Sequence, residues 1–306
     1  MDNRVLVLLS TYNGEKYVIE QLDSLEKQTV PVFILIRDDG STDKTVEIVK
    51  NYSKNHNNIK LIEGENVGYV ESFNKLLLDD EVNRYSYIAF CDQDDVWMEE
   101  KLSVALSNIK EVDDGRSPVM YCSNLMLVNE HLSNVGYMYK KELRWNKYTA
   151  LVQNIATGCT MVFNAAATDL YVKSICHSMV SHDYTMFLIC AYFGKVYYDS
   201  TPHILYRQHS ENVLGGKSKS FGKGIVDICT DFFKPKDEKR IEWFKNFISI
   251  YDDNFVDADK NIIDKIVNYK NSVIDRISIA LSKKYVGYDL KTTLGFKTRT
   301  LIGRMY

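Results

Sequence analysis

At 306 residues, with 45% apolar and 26% charged side chains, the chain has the composition of a soluble globular protein of one large or two smaller domains. No apolar run approaches the ~18 residues of a membrane span, the longest candidate being 184–193, and Met1-Asp2-Asn3-Arg4-Val5 lacks the basic segment and apolar core of a signal peptide. The net charge of −3 conceals an asymmetry: residues 1–212 carry 20 Lys+Arg against 29 Asp+Glu, and residues 213–306 carry 18 against 12.

That basic end, densest from Lys283 onward, predicts peripheral contact with an anionic surface such as the inner face of a membrane, a plainly solvated tail being the alternative. Nucleic acid is not among the expected partners. The six cysteines are scattered without a Cys-x-x-Cys pair, which predicts buried, reduced thiols and a cytoplasmic location.

Residues 4–10 (Arg-Val-Leu-Val-Leu-Leu-Ser) form the near-continuous apolar run of a parallel strand buried on both faces. The polar turn Thr11-Tyr12-Asn13-Gly14-Glu15 follows, and Tyr17, Ile19, Leu22 and Leu25 then recur at helical spacing. A second strand, 32–36, leads into Arg37-Asp38-Asp39-Gly40-Ser41-Thr42-Asp43, where Ser41 or Thr42 is the expected helix cap. A third strand, 59–62, leads into Glu65-Asn66-Val67-Gly68 and another helix.

Tyr87 to Cys91 reads as the fourth strand, and it ends in Asp92-Gln93-Asp94-Asp95-Val96-Trp97. Carboxylates crowded at a strand's mouth repel unless a cation sits between them, and Asp92 and Asp94 are spaced to share one hard metal ion. Taken alone, the same residues also fit a solvated turn with Asp94 or Asp95 capping the next helix.

Strand-helix alternation predicts a mainly parallel α/β sheet, in which ligands bind beyond the carboxyl ends of the strands. Four polar loops leave those ends. Neither a Gly-x-Gly-x-x-Gly fingerprint nor a P-loop is present, so a metal on the aspartates is the expected phosphate holder.

Ser10-Thr11-Tyr12-Asn13-Gly14, Asp38-Asp39-Gly40-Ser41-Thr42-Asp43, Asn66-Val67-Gly68 and Asp92-Gln93-Asp94-Asp95-Val96-Trp97 together resemble the successive motifs of family 2 glycosyltransferases with the GT-A fold. The last motif is most similar to a bacterial rhamnosyltransferase-like branch. The resemblance runs from about Val5 to His209. It implies a Rossmann-like nucleotide-binding sheet, an inverting sugar transfer, and Mn²⁺ or Mg²⁺ on Asp92 and Asp94, with Asp94 the more direct ligand. It further implies that Thr11, Tyr12, Asn13 and Glu15 line the nucleotide pocket and that Asp39 bonds the pyrimidine base. Asn66, Gly68 and Gln93 approach the nucleotide or sugar, and Asp95 contacts sugar or caps a helix.

Residues 119–128 read as a strand or hairpin, and 154–164 as a further strand with Gly158 inside it, marking a bulge, a close approach or plain packing. Ser181-His182-Asp183-Tyr184 opens an apolar helix, where Asp183 suits the first turn electrostatically. Within the family an Asp at this place is the general base, which an acceptor hydroxyl needs; His182 is the neighbour expected to tune or replace it. A strand from His203 ends in Arg207, Gln208 and His209, with Arg207 or His209 expected at the leaving diphosphate and His209 as a further metal ligand.

The Gly-, Ser- and Lys-rich residues 213–223 predict a flexible loop, and 224–306 a helical extension ending in the basic tail. Trp243, Phe244, Phe247, Ile248 and Tyr251 mark one helix there, and Ile262, Ile266, Val273, Ile277 and Leu281 a second, longer one. The expected organisation is therefore a catalytic domain 1–212, its nucleotide-sugar half 1–97 and acceptor half 98–212, then loop and helices.

The resemblance implies a nucleotide-diphosphate sugar as donor, dTDP-rhamnose or a UDP-sugar, and a glycan or lipid-linked saccharide as acceptor in cell-surface polysaccharide synthesis. A non-catalytic sugar-nucleotide-binding or scaffold protein on the same fold is the alternative.

Overall fold

The computed structural model describes residues 4–140, 142–177, 179–208 and 239–305. They group into two units, one of Met1–Glu142, Ala156–Ile175 and Ser181–Gln208, the other of Leu143–Ile155, Cys176–Val180 and His209–Tyr306. The expected loop at 213–223 and the expected ligand His209 lie outside the described residues.

In the first unit, β1 (Val5–Thr11) is followed by α1 (Val18–Glu26), β2 (Val32–Asp38) by α2 (Thr45–Ser53), and β3 (Ile59–Glu63) by α3 (Tyr69–Leu77). β4 (Tyr87–Cys91) comes next. The apolar runs of β1, β2 and β4 are buried because helices or loops cover both faces of the sheet. β1 pairs in parallel with β2 and β4, and β2 with β3. Thr11 stands opposite Asp38, Asp38 opposite Glu63 and Leu9 opposite Cys91, so these strands release the chain along one edge.

After the short β5 (Val96–Trp97) come α4 (Lys101–Lys110), β6 (Val119–Ser123), β7 (Met126–Val128) and β8 (Asn134–Tyr137). The helix α5 (Thr149–Val152) belongs to the second unit. The first then adds β9 (Val162–Asn164), α6 (Ala165–Val172), α7 (His182–Phe193), β10 (Lys195–Asp199) and β11 (Ile204–Arg207). The main sheet has seven strands in the order β10-β6-β9-β4-β1-β2-β3, with β9 antiparallel to both neighbours. A second sheet runs β5-β11-β7-β8.

Four expectations need correction. The strand through 154–164 is confined to β9; Gly158–Thr160 is a tight 3-10 turn, closed by Thr160 Oγ1 donating to the Thr157 carbonyl at 2.7 Å. Ser41 and Thr42 do not cap α2. Asp43 does the nearest equivalent, accepting from the Thr45 N–H at 2.9 Å.

The third correction concerns the second unit, which contains α8 (Lys239–Ile250), α9 (Asp257–Val267), α10 (Val273–Leu281) and α11 (Leu290–Leu301). The single long helix through Ile262 to Leu281 is two helices, α9 and α10. A 3-10 turn at Tyr269–Asn271 separates them, and Ser272 caps the second by accepting from the Asp275 N–H at 3.1 Å. The aromatic stripe of α8 is core, with Trp243, Phe244, Phe247 and the following Tyr251 fully buried. No helix among the described residues is long and apolar enough to cross a membrane. Of the five described cysteines, all are free thiols and four are buried; Cys176 is exposed, against the expectation for that residue.

Candidate active site

The loops leaving β1 to β4 are tied to one another by side chains that the motifs supply. Gln93 clamps the Tyr12 backbone from both directions: the Tyr12 N–H donates to its Oε1 at 2.8 Å, and its Nε2 donates to the Tyr12 carbonyl at 2.9 Å. Gly14 is required beside it, since a Cβ there would lie 2.2 Å from Gln93 Oε1. Asn13, at φ 49°, accepts from the Thr42 N–H at 2.8 Å and donates its own N–H to Ser41 Oγ at 2.9 Å. Glu15 Oε2 accepts from the Lys44 N–H at 2.9 Å.

Asp38 and Asp39 divide the next layer between them. The buried Thr11 hydroxyl donates to Asp38 Oδ2 at 2.9 Å, so Thr11 ties β1 to β2. Asp39 pairs with buried Arg37 at 2.5 Å and accepts from the N–H groups of Val67 (3.0 Å) and Gly68 (2.9 Å). Any contact between Asp39 and a nucleobase has to compete with those three donors. Gly68, at φ 85°, starts α3, and at Gly40, φ 79°, a Cβ would meet the Asn66 backbone nitrogen at 2.8 Å. Asn66 is thereby brought against the Asp39 loop.

Four carboxylates gather at the mouth of β4. Burial, then repulsion from Asp94 and Asp183, pushes the Asp92 carboxyl up to about 7. Burial and the fields of Asp94 and Asp92 also raise Asp95 well above the carboxylate range. Tyr69 is raised by partial burial and by the charges of Asp183 and Asp92, which places that base candidate in the same electrostatic neighbourhood.

The tightest grouping of metal-ligating atoms among the described residues is Asp92, Asp95 and Cys159, within 4.8 Å of one another. The expected pairing was Asp92, Asp94 and His209. Asp95 is buried at 1% exposure, its Oδ1 accepting from the Arg207 N–H at 3.1 Å and its Oδ2 left without a hydrogen-bond partner. It caps no helix: α4 begins after Glu100. The carboxylate oxygens of this set suit a hard divalent cation, and Cys159 adds a softer sulfur donor. The carboxylates that this grouping offers a cation are those of Asp92 and Asp95; Asp94 is not in it.

Arg207 is placed differently from its expected position at the leaving group. It is 1% exposed and fully engaged: Nε donates to the Asp94 carbonyl at 2.9 Å, one terminal nitrogen to the Glu130 carbonyl at 2.6 Å, and the other to Glu20. Its guanidinium lies 4.4 Å from the centroid of the Tyr17 ring. Arg207 ends β11, which lies between β5 and β7 in the second sheet.

Asp183 opens α7. Ser181 caps the helix, its hydroxyl donating to Asp183 Oδ1, which also accepts from the Tyr184 N–H at 2.7 Å. His182 stacks on Phe73 with centroids 4.0 Å apart and meets Phe90 edge-on at 4.9 Å; both its ring nitrogens lack partners, and burial lowers its pKa to about 4. It is therefore neutral near pH 7, and its ring packs against Phe73 and Phe90. Gly158 abuts it: a Cβ there would lie 2.8 Å from His182 Nε2.

Several residues here carried no recognised motif. Arg37 was detectable as a cation ending the apolar run of β2, and Gly64, whose Cβ would strike Arg37 at 2.3 Å, is its packing partner. Glu20 and Cys159 gave no signal, because each matters only through tertiary contact.

The family model described as glycosyl transferase family 2 matches residues 6–170. A dTDP-rhamnosyl transferase, RfbG of Shigella flexneri, is 26% identical over 268 residues, covering 81% of this chain and 86% of that protein. Among solved structures, S. aureus TarS 1–349 in complex with UDP-GlcNAc superposes with a TM-score of 0.56 at 18% identity, over 98% of this chain and 79% of that one. A mannosyltransferase from Pyrobaculum calidifontis, PcManGT in complex with GDP-Man and Mn²⁺, gives 0.51 at 15% identity, over 99% and 86%. These structural likenesses establish the GT-A fold expected from the motifs. With more than half of its length matched by the family model, the chain belongs to glycosyl transferase family 2.

Proposed function

We propose that this glycosyltransferase moves a sugar from a nucleotide-diphosphate donor to a hydroxyl of a glycan or lipid-linked saccharide, with inversion at the anomeric carbon. The observation that carries this reading is the electrostatic convergence of Asp92, Asp94 and Asp183 at the edge where four cross-tied loops leave the sheet. Rhamnose on dTDP is the first donor to test, because a relative 26% identical over 81% of this chain is a dTDP-rhamnosyl transferase.

In this reading Tyr12 offers its exposed ring to the base from a backbone that Gln93 holds still. Asn13 and Glu15 fix the loop that carries Tyr12, and Asn66 and Gly68 present backbone to the nucleotide or sugar. Asp39 acts through that segment, which it orders. Asp183 takes the proton from the acceptor hydroxyl as its oxygen bonds to the anomeric carbon and the bond to the diphosphate breaks. Asp92 and Asp94 would hold a divalent cation, which when bound would supply electrostatic stabilisation for the departing diphosphate. Arg207 serves the leaving group indirectly, by fixing the Asp94 loop.

The test is thermal stabilisation by a panel of nucleotide sugars with and without Mn²⁺. A matched donor at a hundred times its Kd adds about 2.7 kcal/mol to the folded state. Stabilisation by a donor followed by sugar transfer supports the reading. Stabilisation with neither transfer nor donor hydrolysis makes the protein a binding scaffold instead.

A further inference from the structure

The packed helix pair α10 and α11 turns apolar side chains outward. On α10, Ile279 and Ala280 are buried, whereas Ile274, Ile277 and Leu281 fall within an arc of roughly 60°, with Ile274 79% and Leu281 75% exposed. On α11, Phe296 and Thr300 are buried, and Leu290, Leu294 and Leu301 share the opposite side, Leu290 being 73% exposed. Open faces of this kind on two adjoining helices mark a contact surface.

Charge identifies what they contact. Between residues 270 and 305 there are eight Lys and Arg against two acids, Asp275 and Asp289. Both acids are already engaged: Asp275 pairs with Lys265 at 3.2 Å, and Asp289 caps α11 by accepting from the Thr292 N–H at 2.6 Å. Helical spacing sets Lys291 and Lys297 on either side of the α11 leucines. A second copy of this surface would oppose cations with cations. An anionic bilayer offers both the apolar boundary that the leucines need and the negative charge that the lysines need.

We propose that the α10–α11 face docks the protein on an anionic phospholipid bilayer, with Ile and Leu side chains at the headgroup–acyl boundary and Lys291 and Lys297 at lipid phosphates. This goes beyond the transferase reading and does not rest on it, since the face belongs to the second unit and its test needs no sugar.

The test is co-sedimentation of the full chain with vesicles of phosphatidylcholine alone or mixed with phosphatidylglycerol. Binding to the anionic vesicles is expected to exceed that to neutral ones by about tenfold or more and to weaken with salt. The paired substitutions Leu290→Glu with Leu294→Glu, and Lys291→Glu with Lys297→Glu, are each expected to lower it by about tenfold or more. Melting temperature should stay unchanged in both. Equal binding to neutral and anionic vesicles, no binding, or binding that survives both pairs overturns the proposal. A dimer in sedimentation velocity that Leu294→Glu dissociates also overturns it, giving the face to a second copy.

Discussion

Arg207 Nε donates to the carbonyl oxygen of Asp94 at 2.9 Å while the Arg207 backbone N–H donates to the Asp95 carboxylate at 3.1 Å. One residue thus grips the aspartate loop at two successive positions, and through Glu20 and the Glu130 carbonyl it ties that loop to α1 and to the turn after β7. Arg207→Ala leaves two part-buried carbonyls without their donor and should cost on the order of 2 kcal/mol. Arg207→Lys keeps a charge but loses the planar fork and should recover only part of that. Urea denaturation of both variants checks this; an unchanged midpoint in Arg207→Ala would contradict the assigned role.

Asp183→Asn preserves the shape at the start of α7 and removes the basic oxygen. Turnover should fall by about 10²- to 10⁴-fold with donor binding intact. Initial rates alongside calorimetric donor affinity separate the two, and unchanged turnover would point to another base.

Gly158→Ala places a methyl group 2.8 Å from His182 Nε2, and that ring is held between Phe73 and Phe90. The overpacking should cost about 1–3 kcal/mol. A melting curve checks it, and the companion His182→Ala, which empties the space beside residue 158, should recover part of the loss that the methyl causes.

His182 is buried neutral, with its pKa lowered to about 4 by desolvation, while the unfolded chain titrates at its ordinary value near 6.5. The unfolded state therefore binds the proton first. Stability is full above pH ~6.5 and is lost progressively as the pH falls toward about 4. His182→Phe removes this term, so the melting temperature of the variant should fall less than that of the parent across this window. Parallel curves would show that His182 does not contribute.

The strands β1, β2 and β4 were legible because they are buried on both faces, and continuous apolar runs say so directly. The four loops were legible because their residue types are scarce outside turns and ion sites. What the sequence hid was direction. Nothing local tells Arg207 to turn inward or Asp95 to be buried; both depend on tertiary contacts such as the Arg207 N–H donating to the Asp95 carboxylate. Gly158 was flagged, but as a strand residue, since its neighbours are apolar and the Thr157–Thr160 turn closes only through its own hydrogen bonds. The break between α9 and α10 was missed because Val273, Ile277 and Leu281 continue the apolar spacing while being exposed. Periodicity reports a face, not what covers it.

In the proposed transfer, Asp92 and Asp94 would hold a divalent cation that the reaction requires. The most direct measurement is release of the nucleoside diphosphate from dTDP-rhamnose and competing UDP-sugars in the presence of acceptor, comparing the parent chain with Asp94→Asn, with and without Mn²⁺. The account predicts Mn²⁺-dependent release by the parent, none above background by the folded variant, and no rescue by added metal. Full activity in Asp94→Asn, or parent activity undiminished by chelator, would contradict it.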